Sequence, residues 1–338
     1  MLVVKKQRTG VVVAAAALAI AAMSCQRASA NTAASIYDSF TAASNTALGG
    51  TTADTSGFTW YAPSAVTDNY ITGSGLSFPT AAQAGNPSYN APPPVAGLSV
   101  TLSDNYTNGD KIALTAADNT SFASGQGVST SDYYSLLLNV PTTAVGALYA
   151  NGTDPANTNS NNSYNTSLVA AFGDGNSLVG GNPGTQITGI YVQQGTVAGT
   201  FQVGIGGNRS GVVWDTTNIS ADAPVFIVAE WVNNGGGNYT SNLWEDPVLG
   251  LSSPNAYDAT TNSGQAGGFN DSQINSFSLS SEAGLPSLAD GGLQVDEVRI
   301  GSAWTYVTPA QVVPEPASLG LMAVGGLGLL LWPRRKTA

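Results

Sequence analysis

Between Asn31 and Pro309 the apolar residues fall at period two or in short continuous runs, and a helical spacing of three to four residues is almost absent. That pattern predicts strands over Ile36–Phe40, Leu98–Leu102, Lys111–Leu114, Tyr133–Val140, Leu168–Phe172, Gln186–Gln193, Thr200–Ile205, Pro224–Val232, Ser241–Glu245, Ile274–Leu279 and Leu293–Ile300. Gly206-Gly207-Asn208, Asn233 to Asn238 and Asp290-Gly291-Gly292 supply turns between them, since Gly and Asn accept the backbone that tight turns need. Tyr133 to Val140 and Val225 to Ala229 are apolar on both faces, as central strands covered from two sides must be. Many short strands, polar loops and no internal repeat predict an all-β fold, a single jelly-roll β-sandwich. Gly73 to Gly97, rich in proline, and Asn151 to Asn165, dominated by Asn, Thr and Ser, read as long loops. The strand pattern resumes unchanged after each, so one domain over residues 31–309 is expected.

Both ends break this pattern. Lys5, Lys6 and Arg8 precede the apolar stretch Val11 to Ala22, and Ala28-Ser29-Ala30 supplies small residues for cleavage, so residues 1–30 read as a signal peptide. Cys25, preceded by Ala22-Met23-Ser24, leaves a lipoprotein reading open. At the other end Pro314-Glu315-Pro316 precedes an uncharged run from Ala317 to Trp332, closed by Arg334, Arg335 and Lys336. As a helix that run spans about 24 Å, near the thickness of a bilayer core. The basic cluster then stays cytoplasmic and everything upstream lies outside. An ordinary tail anchor shares this length and these flanks. The order of the elements resembles the PEP-CTERM sorting signal of exopolysaccharide-producing Gram-negative bacteria, here over residues 310–338. The resemblance implies Sec export, handling by an exosortase, transient anchoring in the inner membrane through a C-terminal transmembrane helix, and a final place at the cell surface or in the extracellular matrix.

Discarding both ends changes the chemistry of what is left. The central region keeps Lys111, Arg209 and Arg299 against 20 acids, a net charge of −17. Such a surface repels phosphate backbones, so nucleic acid is excluded as a partner. There is no histidine, and the single cysteine lies in the signal peptide. Ser-His-Asp and Cys-His nucleophiles, His/Cys zinc sites and disulfides are therefore all unavailable. Carboxylates, hydroxyls, amides and aromatics remain, and oxygen-ligated calcium is the one metal class left open; no cofactor is expected. Asp104 to Asp110 is oxygen-rich, but Tyr106 and the lack of a closing glutamate depart from an EF-hand loop.

A second resemblance runs along most of the central region. Tyr37-Asp38-Ser39-Phe40, Gly57-Phe58-Thr59-Trp60, Tyr133 to Leu137, Phe226 to Ala229, Leu243-Trp244-Glu245-Asp246-Pro247, Val295 to Trp304 and Val307-Thr308-Pro309 occur in this order. The series resembles the concanavalin A-like lectin/glucanase (laminin-G-like) sandwiches that accompany PEP-CTERM signals. Glucanases of that fold carry their acids as Glu-x-Asp-x-Glu, and no such spacing exists here. Glu230-Trp231 and Trp244-Glu245-Asp246 set an acid beside an aromatic, as saccharide sites do, although a tryptophan at a strand end serves packing equally well. On a regular strand Asp296 and Val298 would face one way and Glu297 and Arg299 the other, which makes an ion pair of the last two the plainest expectation. Trp231, Trp244, Glu245 and Glu297 are accordingly the candidate ligand-binding residues, with no catalytic residue assigned. The expectation is an exported, non-catalytic matrix protein with a structural or polysaccharide-binding role. A divergent glycoside hydrolase or lyase on the same fold, or a protein-binding adhesin, stands as the alternative.

Overall fold

The two-residue periodicity is realised as two antiparallel sheets packed face to face. The computed structural model describes residues 36–43, 46, 48, 51–54, 60–61, 69–72, 74–80, 97–102, 110–113, 131–148, 168–173, 186–207, 210–235, 238–263, 274, 276–279 and 291–309. Residues 1–30, read above as a signal peptide, the Asp104 loop up to Gly109, the Asn151 to Asn165 stretch and the whole C-terminal segment 310–338 lie outside these residues.

The front sheet runs β14 (Ala259–Ser263), β13 (Asn238–Glu245), β12 (Val225–Gly235), β6 (Ser131–Asn139), β16 (Leu293–Gly301), β4 (Ser99–Leu102), β3 (Tyr70–Thr72), and β1 (Ile36–Asp38) also pairs with β16. The back sheet runs β10 (Ser210–Trp214), β9 (Thr200–Gly207), β8 (Gln186–Gln194), β7 (Leu168–Gly173), β15 (Ser276–Leu279), β5 (Asp110–Ala113), β2 (Trp60–Tyr61), with β11 (Ile219–Ser220) on β9. Two one-turn helices, α1 (Thr142–Val145) and α2 (Trp304–Val307), follow β6 and β16. Among the described residues no helix is long and apolar enough to cross a membrane.

Alternation sorts each strand between two environments. In β12, Val225, Ile227, Ala229 and Trp231 enter the core between the sheets, while Phe226 and Val228 point outward. In β6, Tyr134, Leu136 and Leu138 go in, and Tyr133 and Leu137 go out. Tyr134, Phe172 and Phe277 meet edge to face at the centre, with centroids 4.8 and 5.0 Å from Tyr134. The buried Tyr134 hydroxyl reaches across the core and donates to the backbone carbonyl of Thr188 at 2.6 Å. Thr188 and Ser241 share a second polar tie between the sheets, 2.7 Å between hydroxyls. Full burial of each large aliphatic or aromatic side chain contributes about 1.5–3 kcal/mol, so this core stabilises the fold without any cross-link.

Every strand expected from the apolar pattern is present. The strands that the pattern does not reveal are β2, β3, β10, β11 and β14, which occupy the ends of the two sheets or pair alongside β9. One correction concerns β16. Against β6, Asp296 pairs with Leu137 and Arg299 with Ser135, so β16 holds one extra residue there. Glu297 takes a left-handed φ of 54° at this bulge. Regular alternation fails across it: Leu293, Val295, Val298 and Ile300 all enter the core, and Asp296 does not share a face with Val298.

Candidate functional site

The outer face of the front sheet is where polar and aromatic side chains converge. Cross-strand register places Gly301, Tyr133, Glu230, Asn242 and Thr260 in one row across β16, β6, β12, β13 and β14. The row is hydrogen-bonded from end to end. Thr260 Oγ1 donates to Asn242 Oδ1 at 2.7 Å, Asn242 Nδ2 donates to Glu230 Oε2 at 2.7 Å, and the Tyr133 hydroxyl bonds the same carboxylate. Burial first, and then this bond, hold the Tyr133 phenol well above its ordinary pKa. Glu230, Asn242 and Tyr133 are 7, 8 and 8% exposed, so each keeps a narrow opening to solvent.

An aromatic ledge borders the row. Trp304 on α2 stacks edge to face on Trp244 at 5.2 Å and on Tyr133 at 6.2 Å. Ser135 Oγ anchors the helix by donating to the Val307 carbonyl at 2.7 Å. Beyond Trp244 lies Tyr257, 6.4 Å away and 51% exposed. The loop carrying Tyr257 is held because Trp244 Nε1 donates to the Asn255 carbonyl at 3.0 Å.

At the far end of β13 four carboxyl groups gather. The Glu245 backbone N–H donates to Asp258 Oδ2 at 2.6 Å, and the Phe226 N–H donates to Asp246 Oδ1 at 2.8 Å. Glu245 Oε1 is buried and receives no N–H or O–H, while the Asp215 carboxyl, from the other sheet, lies close enough to bond with it. Two carboxyls bond only when one keeps its proton. Burial, and then Asp215 and Asp258, push Glu245 well above the usual carboxylate range, and burial lifts Asp246 to about 7. Among the described residues no group of three or more acids is arranged to hold a metal ion.

A separate cluster sits across the sheet on β1 and β16. Arg299 Nη2 meets Glu297 Oε2 at 2.9 Å, the Tyr37 hydroxyl donates to Glu297 Oε1 at 3.1 Å, and the guanidinium lies 4.6 Å from the Tyr37 ring centre. Glu297 is thereby committed to an internal ion pair at the bulge. Its neighbour Asp296 accepts the Leu76 and Glu297 N–H groups at 2.7 Å each, and burial still lifts it to about 7.

The four candidates from the sequence are thus not one site. Trp231 is fully buried between the sheets, because it lies on the inward side of β12; Trp244 is buried beneath Trp304 and Tyr257 on the outer face. Glu245 belongs to the carboxyl group at the sheet seam, and Glu297 to the Arg299 cluster. Sequence reasoning missed Tyr133, Asn242, Thr260 and Tyr257. Cross-strand register alone unites the first three, Tyr257 joins them through its loop contact with Trp244, and β14, which carries Thr260, has no apolar pattern.

Residues 312–336 match the PEP-CTERM protein-sorting motif. The chain therefore carries an exosortase-type sorting signal and is an exported, sorted protein. No curated protein gives a significant match. Among solved structures, an endo-β-1,4-glucuronan lyase from the fungus Trichoderma reesei aligns over 82% of this chain and 100% of its own, with 12% identity and a TM-score of 0.38. A carbohydrate esterase from Shiga toxin-encoding bacteriophage phi24B aligns over 61% of this chain and 82% of its own, with 12% identity and a TM-score of 0.30. The carbohydrate recognition domain of Emp47p aligns over 62% and 85%, with 9% identity and a TM-score of 0.27.

Proposed function

We propose that this exported chain presents one sandwich, spanning residues 31–309, to the extracellular polymer layer as a non-catalytic saccharide-binding domain. The binding surface is the outer face of the front sheet. The observation that supports this reading is the hydrogen-bonded row of Tyr133, Glu230, Asn242 and Thr260 beside the Trp304–Trp244–Tyr257 ledge. Sugars are held by aromatic surfaces that accept their C–H faces and by amides or carboxylates that orient their hydroxyls, and this face offers both side by side. Anchoring follows from the sorting signal: the C-terminal run holds the chain in the membrane until exosortase processing passes it to the surface.

A glycan array probed with the exported protein, and with Tyr257→Ala and Glu230→Gln, tests the reading. Binding of at least one polysaccharide class, weakened about tenfold by either substitution, is expected. Absence of binding above an equally acidic control protein would leave a structural role alone.

One observation favours a second reading, a lyase or hydrolase: the Tyr133 phenol and the Glu230 carboxylate form a hydrogen-bonded acid–base pair. Retaining hydrolysis asks for two carboxyls about 5–5.5 Å apart, and the row holds only Glu230. Release of unsaturated or reducing ends from a bound polysaccharide, abolished in Tyr133→Phe, would replace the binding reading with this one.

A further inference from the structure

We propose that, while the chain is anchored, the outer face of the front sheet is turned to the membrane, so that polymer reaches it only after the C-terminal run is released. This regulation of the site rests on the saccharide-binding and anchoring readings above. The chain leaves the sandwich over that face and not at its rim. After β16, α2 crosses the face: Trp304 meets the Tyr133 ring at 6.2 Å, and the Val307 carbonyl accepts the Ser135 hydroxyl at 2.7 Å. Tyr133 and Ser135 project from the same side of β6, which stands mid-sheet with three strands on either side along the sheet path. Val307 belongs to the outer cluster with Leu137, Phe226 and Val228, and Thr308 and Pro309 are buried as well. Pro309, the last of these packed residues, therefore lies within about 7 Å of Val307. Ser135 in turn is about 7 Å along β6 from Tyr133 and the polar row.

From Pro309 the leash is short. The sorting motif starts at residue 312, and the uncharged run starts at Ala317, eight residues beyond Pro309. Fully extended, eight residues reach at most about 29 Å, and the headgroup layer takes up about 5–7 Å of that. Turning the back sheet to the membrane instead would take about 14 Å across three strands to the sheet edge and about 10 Å past the second sheet. A taut leash of this length has nothing left for the side-chain layers outside both sheets. With the front face toward the lipid, the same leash has slack. Anchoring thus holds the Trp304–Trp244–Tyr257 ledge toward the membrane and leaves the back sheet to face the polymer layer. A short oligosaccharide still enters the gap, whereas a matrix polymer is kept out by its bulk. The chain is thereby prevented from gripping polymer at the membrane before it is released.

The test is cysteine labelling of the unprocessed chain, exported from a host without exosortase and reconstituted in phosphatidylethanolamine–phosphatidylglycerol liposomes. Residues 31–338 hold no cysteine of their own. The probe is a membrane-impermeant maleimide on a long polyethylene-glycol chain, which has the bulk of a polymer. Tyr257→Cys reports the ledge, and Val197→Cys, in the turn joining β8 to β9, reports the back sheet; the two sites are 51% and 56% exposed. Tyr257→Cys is expected to label about tenfold more slowly than Val197→Cys. A Gly/Ser spacer of about thirty residues after Pro309, with an average span of about 30 Å, is expected to bring the two rates together. Leu251→Cys, in the loop that carries Tyr257 and also exposed, repeats the measurement should Tyr257→Cys fail to fold. Equal rates without the spacer overturn the proposal, as does a difference that the spacer leaves unchanged. Shielding relieved by the spacer, beside a blank glycan array, upholds the orientation and removes only the saccharide reading. Equal rates beside a positive array do the reverse.

Discussion

The outer face of the front sheet carries Tyr133, Glu230, Asn242 and Trp244 under a covering helix, whereas the outer face of the back sheet carries glutamines, Tyr191, Trp214 and glycines. Both come from the same alternation of strand residues. On the back sheet Gln193 Nε2 donates to Gln202 Oε1 at 2.9 Å, and the polar pair spends its hydrogen bonds on itself. Beside it a trough lets Tyr191 and Trp214 lie on the sheet: a Cβ at Gly204 would sit 2.6 Å from the Trp214 ring, and one at Gly189 2.9 Å from the Tyr191 ring. Large residues on the back face are thus laid flat against glycine, while those on the front are stood upright and roofed. A flat aromatic surface needs no further covering. An upright one makes walls, and walls make a site.

The shifted acids fall on the same side of this comparison. Asp38 at about 6, and Asp132, Asp246 and Asp296 at about 7, all lie on front-sheet strands or their ends, each raised from 3.8 chiefly by burial.

Substitutions can break the contrast. The largest effect is expected from Trp304→Ala, which unroofs the front face. Losing a buried tryptophan from the cluster with Trp244 and Tyr133 should cost about 3–5 kcal/mol in denaturant unfolding. Trp304→Phe should cost less than about 1.5 kcal/mol, because Trp304 Nε1 has no hydrogen-bond partner to lose. A large penalty for phenylalanine would mean that the indole N–H matters.

Next in size is the response to pH. A folded-state pKa raised above the unfolded value means that the fold prefers the protonated acid. The stability these groups contribute is complete below about pH 4 and is lost as pH rises through 6 to 7. The unfolding midpoint should therefore fall between pH 4 and pH 8, with front-sheet amides losing exchange protection before back-sheet amides. Asp132→Asn should recover on the order of 1–3 kcal/mol at pH 8 and nothing at pH 4. A flat pH profile would show that these carboxyls are hydrated.

Gly204→Ala should cost about 1–3 kcal/mol by lifting Trp214 from the back face, read as a red-shifted Trp emission together with lower stability. The smallest effect is expected at the row itself: Thr260→Ala should change stability by about 1 kcal/mol or less, yet reduce saccharide affinity. Equal losses in both would make the row a stability element.

The interior strands were legible because Tyr133 to Val140 and Val225 to Ala229 are covered on both sides, which leaves long apolar runs in the sequence. The sheet ends were not. Ala259–Ser263 reads Ala-Thr-Thr-Asn-Ser, a stretch whose strand state is imposed by pairing with β13 rather than by any apolar face. The Glu297–Arg299 ion pair was readable from their spacing, although the bulge that carries Glu297 was not, since nothing in Asp296-Glu297-Val298 announces a left-handed residue. Trp231 and Trp244 look alike in sequence, each next to an acid. An inward position buries the first between the sheets, and only the register of β13 against β12 places the second beneath the ledge.

The pairing of β1 with β16 sets when this protein can finish folding. Ile36 lies beside Ile300, and β16 occupies the middle of the front sheet, pairing with β6 and, separately, with β4 and β1. A chain threaded across a membrane from its N-terminus delivers β16 after every other strand, so the sheet stays split in two until almost the whole domain has crossed. Contacts this distant in sequence close slowly, which favours a loose, threadable chain during transit. The sorting motif begins at residue 312, 11 residues after β16 ends at Gly301. The strand that completes the sandwich and the sorting motif are thus neighbours in the chain, and the last strand needed to close the front sheet is delivered just before that motif.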